Sequence, residues 1–418
     1  MREMKDSGIE WIGEIPCDWK LERSQWHLEE VNISNNPVQT NNVLSLTNKL
    51  GVVPYEEKGN QGNKSKENVY EYKLAYPNTI VANSMNILIG SVGLCDYFGC
   101  VSPVYYVFRA KKYNNIKFLN YVFQTVGFQR ELRKYANGIL EIRLRVSSSD
   151  ILKRFIPFPS EIEQQRIAEF LDRECGRIDG LKADIQAQID TLEQYKRSVI
   201  TEAVTHGLNP SAPMKDSGVD YIDKIKSDWR ITKIGFVCSK LTRGFSAEDP
   251  ALICSNNGSI MLRDEEKACG KMVSEDNAMQ GIHIGDIAIH GMDTWHGAIG
   301  FSKIKGKITR VVHVCDSTED KRFIVYYLKS LAYQNVYKLI SNGVRGNTSD
   351  FRSWDKVKDI YICLPATKKE ENEICDYLDA QCENIDMIIA DKKSQIETLD
   401  GYKKSLIYEY VTGKKEVG

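Results

Sequence analysis

The chain holds eleven cysteines in 418 residues but no CxxC pair, which removes the usual zinc-knuckle and dithiol spacings. Cys95 and Cys100 come closest and lie too far apart for such a knuckle. An odd number without a pairing pattern reads as reduced thiols, mostly buried. No apolar run is long enough to span a bilayer, and the first residues mix charges where a leader would run basic, then apolar, then small. A cytoplasmic protein with no membrane partner is the expectation. No GxGxxG follows a strand, no GxxxxGKS/T occurs, and there is no Asp/Asn-Pro-Pro-aromatic tetrapeptide of the kind amino-methyltransferases use. Phosphate-loop, dinucleotide and amino-methyl chemistry are thereby excluded, and no catalytic or metal-ligating residue is assigned.

What is present is ordinary globular composition, 42% hydrophobic and 27% charged, at a length that calls for more than one core. A net charge of −1 conceals a block pattern. Residues 20–155 carry about +7 and 230–361 about +4, whereas 161–206 carry about −4 and 366–413 about −5.

The blocks follow a duplication. "MKDSGIEWIGEIPCDW" begins at Met4 and "MKDSGVDYIDKIKSDW" at Met214, 210 residues later. Met85-Asn86 match Met292-Asp293, and Gly90, Gly93 and Gly99 match Gly297, Gly300 and Gly306, each offset by 207. "IDTLEQYKRSVITEAVT" from Ile189 matches "IETLDGYKKSLIYEYVT" from Ile396 at the same offset. A constant offset across unrelated local patterns means that one unit occurs twice.

Each acidic block reads as a long helix. Leu171, Ile178, Ile185, Leu192 and Val199 recur every seven residues, as do Leu378, Ile385, Leu399 and Leu406. Leu181 and Tyr195, and in the second copy Ile388 and Tyr402, are read onto the same face. Lys392, Gln188 and Gln395 interrupt the seam. A helix of about 40–45 residues would be about 60–65 Å long. Chain order makes the pair antiparallel, with a mixed domain at each end and an approximate two-fold relation. The expected fold is therefore α+β. The divisions are residues 1–155, a mixed domain; 156–213, a helix; 214–361, the second mixed domain; and 362–418, the second helix.

The basic domains supply the candidate binding residues. Arg143 and Arg145 in the first, with Arg243, Arg310, Arg345 and Arg352 in the second, suit phosphates or bidentate bonds to guanine. Asn83, Ser84, Asn86, Asn347 and Thr348 suit adenine edges or phosphates. "HIGDIAIHGMDTWHGAIG" gathers His283, Asp286, His290, Asp293 and His296. The first copy has Asn83, Asn86 and Ile89 where the second has His290, Asp293 and His296, so the scaffold requires no ligands there; His290, Asp293 and Thr294 join the recognition set instead. Trp19 and Trp229 close the two signature phrases and read either as core anchors or as part of a protein-binding patch.

The phrases "MKDSGIEWIGEIP" and "MKDSGVDYIDKIKSDW", the entry "PFPSEIEQQRIAEFLD" and the exit "YKRSVITEAVTHG" resemble those of the specificity subunit of type I restriction-modification systems. The resemblance covers essentially the whole chain. It implies two target recognition domains, each reading half of a bipartite site in double-stranded DNA, with the helices as a spacer. It also implies two modification subunits carrying the S-adenosylmethionine chemistry, docked on the repeated phrases, and two restriction subunits that use ATP and Mg. No cofactor is expected on this chain itself. The second phrase departs from the first at Asp223, Lys224 and Lys226, where Gly13, Glu14 and Pro16 stand. Two other readings stay open on residues alone: a scaffold binding protein or RNA, and an enzyme built on the His/Asp loop.

Overall fold

The computed structural model describes residues 2–47, 51–58, 68–111, 114–138, 144–263, 278–341 and 350–417. The chain forms two compact units, residues 1–185 with 393–418 and residues 186–392. Each unit takes one mixed domain and a part of both long helices.

Every sheet occurs once in each unit. In the first, Leu28–Glu30, Tyr105–Ala110, Thr79–Asn83 and Val92–Cys95 form a four-stranded antiparallel sheet in that spatial order. In the second, Cys238–Lys240, Val312–Ser317, Ile287–His290 and Ile299–Phe301 repeat it. The signature phrases fold as hairpins, Met4–Asp6 with Glu14–Pro16 and Met214–Val219 with Ile222–Lys226. The strand that follows each hairpin pairs with the last strand of its domain, Lys20–Arg23 with Phe155–Phe158 and Arg230–Lys233 with Tyr361–Leu364.

The long helices are continuous over Glu161–His206 and Lys368–Val411. Both begin with the Ser/Thr-x-x-Glu signal of a capped N-terminus. Ser160 Oγ accepts from Glu163 N at 3.4 Å and Thr367 Oγ1 from Glu370 N at 3.2 Å. Left-handed glycine ends both, Gly207 (φ +78°) directly after the first helix and Gly413 (φ +71°) two residues after the second, where a side chain would be strained. At Gly413 an added Cβ would also lie 2.4 Å from Pro16.

Spacing of three and four along the helices decides which residues face inward. Leu171, Ile178, Leu378, Ile385 and Leu406 are buried, and Ile185, Leu192, Val199 and Leu399 half-buried. The companion line runs through Cys175, Lys182, Ile189, Lys196 and Ala203, not through Leu181 and Tyr195, which are exposed. Ile388 and Tyr402 are exposed in the same way. Two of the inward lysines reach carboxylates across the pair: Lys182 meets Asp400 in the first unit, and Lys196 meets Asp386 at 2.6 Å in the second. Lys403 meets Asp179 at 2.6 Å. With the 207-residue offset, Lys196–Asp386 and Lys403–Asp179 are one bridge made twice, each repeat giving its lysine to the other's aspartate. Lys392, the break in the seam, donates to Gln188 Oε1.

Each mixed domain is fixed to its own long helix by one repeated set of bonds. Helix Ile116–Gln124 presents Tyr121, whose hydroxyl donates to Asp172 at 2.8 Å, and Lys117, which pairs with the same carboxylate at 2.6 Å. Helix Lys321–Tyr333 presents Tyr326 to Asp379 at 2.7 Å and Arg322 to Asp379 at 2.8 Å. Gln164 accepts from the backbone N–H of Asn115, and Glu371 from that of Asp320.

The opposite helix ends close the signature hairpins. Ile12, Ile15 and Trp19 are buried in one core with Leu406, Ile407 and Val411; Ile222, Ile225 and Trp229 share another with Ile200, Ala203 and Val204. Both tryptophans are thus core anchors. The apolar half of the repeated phrase seals the end of a helix within its own chain.

Candidate nucleic-acid interface

The two sheets present equivalent ends at Asn83 and His290. Asn83 is buried, and its Oδ1 accepts from Met85 N (3.0 Å) and Asn86 N (3.2 Å), turning the chain out of the strand. Ser84, also buried, is tied by its backbone to Val104 and Val146. That second bond brings in Arg145, which precedes Val146 and is bridged to Asn137. Asn86 and Arg145 are the exposed members of this end.

His290 performs the turn-capping in the second unit. Its Nδ1 accepts from Met292 N (3.3 Å) and Asp293 N (3.1 Å), which assigns the ring proton to Nε2. Burial lowers its pKa, opposed by the nearby Asp293, and so favours the neutral ring that this geometry needs. Gly291 N donates to Val311 O, and Phe351 N to Gly291 O. These bonds bring Arg310 and Arg352 beside the same turn, both exposed. Asp293 is half-buried and Thr294 buried.

Arg243 is not part of this end. It forks onto Asp286, with Nε to Oδ2 at 2.6 Å and Nη2 to Oδ1 at 2.8 Å, at the far end of strand Ile287–His290. Asp286 is buried and also accepts from His283 N, so the guanidinium neutralises a carboxylate that the turn requires. Arg143, Arg345, Asn347 and Thr348 lie outside the described residues. Among the described residues, no three His, Cys, Asp or Glu side chains come together as a metal site. No helix among them is long and apolar enough to cross a membrane.

One contributor was missed on sequence grounds. His313, wholly buried in strand Val312–Ser317, reaches Phe351 O with Nε2 at 2.7 Å and ties the segment entering Arg352 to the sheet. A lone histidine in the apolar run "VVHVC" was the available signal. Its first-copy counterpart is Tyr106, opposite Ala82 as His313 is opposite Ile289.

A duplicated α+β domain carried on an antiparallel pair of long helices is thus the class of architecture. Among solved structures it is shared by a chain from work on the complex assembly and conformational transition of the type I R-M system. That chain is 12% identical, with 96% of this chain and 99% of that one covered at a TM-score of 0.67. The HsdS subunit from Thermoanaerobacter tengcongensis aligns at 13% identity over 96% and 98% of the two chains, TM-score 0.46. The S subunit of a type I restriction-modification system from M. genitalium aligns at 14% identity over 94% and 96%, TM-score 0.37. No protein-family model and no curated protein matches the sequence. The likeness is one of fold, and it is the fold that the sequence motifs implied.

Proposed function

We propose that this chain is the specificity subunit of a type I restriction-modification system. It is a non-catalytic reader of double-stranded DNA whose two domains each take one half of a gapped target. Adenine methylation and restriction then belong to partner chains, two modification and two restriction subunits, which hold the S-adenosylmethionine, ATP and Mg. One observation carries this reading: the sheets repeat strand for strand, while the side chains at their equivalent ends differ. Asn86 and Arg145, set by the Asn83 turn, face one half-site; Arg310 and Arg352, beside the turn that His290 caps and Asp293 follows, face the other. A scaffold kept constant under changed tips suits two different half-sequences. The fold shared with a type I R-M chain supports it.

The test is a genome-wide map of N6-methyladenine in the source cells with the gene intact and deleted. A gapped, two-part motif that disappears on deletion is expected. An unchanged map in cells that express active partner subunits would reject the reading.

A further inference from the structure

Large apolar side chains exposed in one copy are mostly lost in the other: Ile89 is matched by His296, Ile33 by Arg243 and Ile162 by Lys369. Among the described residues four positions are exceptions. Leu181 with Ile388 and Tyr195 with Tyr402 flank the helical seam, which they shield. The other two lie on the mixed domains, where no seam accounts for them.

Trp26 is 55% exposed and its counterpart Phe236 80%. Both follow the strand that leaves the signature hairpin, in a turn fixed by one backbone bond, Ser24 N to Arg154 O and Ile234 N to Ile360 O, each 2.9 Å. On the strand paired with the one that enters each turn stand Phe155, opposite Arg23, and Tyr361, opposite Lys233, each 37% exposed and each with that cation 5.2 Å over its ring. A single exposed aromatic is unremarkable. An aromatic pair retained in both copies, through the divergence that changed the reading ends, is a surface under a shared constraint.

Strand register places this surface. Leu28, two residues after Trp26, pairs with Ala110, whereas Asn83 pairs with Tyr105 at the other end of the same strand. Cys238, two residues after Phe236, pairs with Ser317, whereas His290 pairs with Val312. In each unit the aromatics therefore sit at the opposite end of the sheet from the reading turn, about 17 Å away at 3.4 Å per residue. The DNA ends changed between copies and the aromatic ends did not, so the occupant is the same at both.

We infer that Trp26 with Phe155, and Phe236 with Tyr361, are two equivalent docking points for a protein that binds this chain twice, once per unit. The partner offers each site an apolar pocket for the projecting ring, as aromatic anchors in interfaces require. This rests on the function proposed above, under which the twice-bound protein is the modification subunit. The site is distinct from the buried face of the signature hairpin, whose apolar residues are used internally.

The experiment mixes the purified chain with the purified modification subunit of the same source and reads stoichiometry by native mass spectrometry and affinity by titration. The unaltered chain binds two copies. Trp26→Ser and Phe236→Ser each leave one tight site and one weakened about 30-fold or more, and the double variant weakens both. Because the substituted rings are largely in solvent, melting temperatures stay within a few degrees of the parent. Two copies bound by the double variant at unchanged affinity would overturn the inference. So would a double variant that keeps both copies but loses DNA, since the patch would then be a nucleic-acid contact. An unaltered chain that binds no modification subunit would reject the proposed function itself, and the inference with it.

Discussion

Glu163 and Glu370 occupy the same turn of their respective helices, yet their positive partners come from different places in the sequence. In the first unit Arg2, ahead of the hairpin, joins Glu163 (2.5 Å) to Asp18 (2.5 Å). In the second, Lys226, standing where the first copy has Pro16, joins Glu370 (2.7 Å) to Asp228 (3.3 Å). The two carboxylates are the same by position; the cation that bridges them is not. With Glu163 oriented by Arg2, its Oε2 also accepts from Trp19 Nε1 at 2.9 Å, whereas Trp229 Nε1 is buried without a partner. Duplication has thus preserved where charge is needed at the helix start, near its positive dipole end, and left the residue that answers it free to change.

The largest effects should be equal in the two copies. Trp19→Ala and Trp229→Ala each remove a wholly buried ring and are expected to cost about 3–5 kcal/mol, read as loss of amide protection in the corresponding hairpin by hydrogen exchange. Markedly unequal losses would show that the two helix ends are not sealed alike.

Next come the sheet ends proposed to meet DNA. Arg145→Ala and Arg352→Ala should each weaken DNA binding by about 1–3 kcal/mol if the side chain meets a base, and roughly alike for all sequences if it meets phosphate. Each should act on its own half-site only, which competition with duplexes altered in one half would reveal.

Trp19→Phe and Trp229→Phe should separate the copies. Both lose the same buried volume; the first also loses a bond to a carboxylate and is expected to cost about 1–2 kcal/mol more than the second, which deletes an orphan donor. Equal costs would mean that Trp229 Nε1 has a partner in solution.

Acid should also divide the units. Burial lowers the pKa of both His290 and His313 from the ordinary 6.5. The unfolded chain therefore takes up these protons first. Stability that the neutral rings contribute is complete above about pH 6.5 and is lost as pH falls toward the folded values. The first copy has Asn83 and Tyr106 at these positions, neither of which gains a proton in that range. Exchange protection of strands 287–290 and 312–317 should fall between pH 7.5 and 5.5, after correction for intrinsic rates, while strands 79–83 and 105–110 hold.

The smallest effect belongs to the duplicated bridge. Lys196→Met and Lys403→Met remove partly exposed pairs, worth about 0.2–1 kcal/mol each and less in high salt. Denaturation at two salt concentrations would show the two variants converging on the parent as salt rises.

Most of the architecture was legible because duplication and heptad spacing are long-range regularities that no single substitution hides. The constant offset matches the repeated sheets, and Leu171 through Val199 located the buried helix face. The second line of that face was misread. Leu181 and Tyr195 looked more suitable than Lys182 and Lys196, since hydrophobicity alone does not register a lysine whose charge is met by an aspartate across the pair. The candidate binding residues differ in what the fold asks of them. Asn83 and His290 read from sequence as recognition side chains, and in the structure both cap a turn with an acceptor atom. Arg243 offered a fork to DNA and is held by Asp286, an ion pair 43 residues apart in sequence.

Tyr408 donates to the carbonyl of Ile12 at 3.2 Å, and Lys414 to those of Ile12 and Glu14 at 2.7 and 3.0 Å. These contacts join residues about four hundred positions apart, so they set an order of events on the ribosome. Residues 186–392, a continuous stretch, can complete their unit as soon as they emerge. The unit that begins the chain must keep Ile12, Ile15 and Trp19 uncovered until Leu406 to Lys414 have been synthesised. The first hairpin to be made is the last to be closed, and a chain that stops short of the second helix end presents that open core to chaperones and proteases.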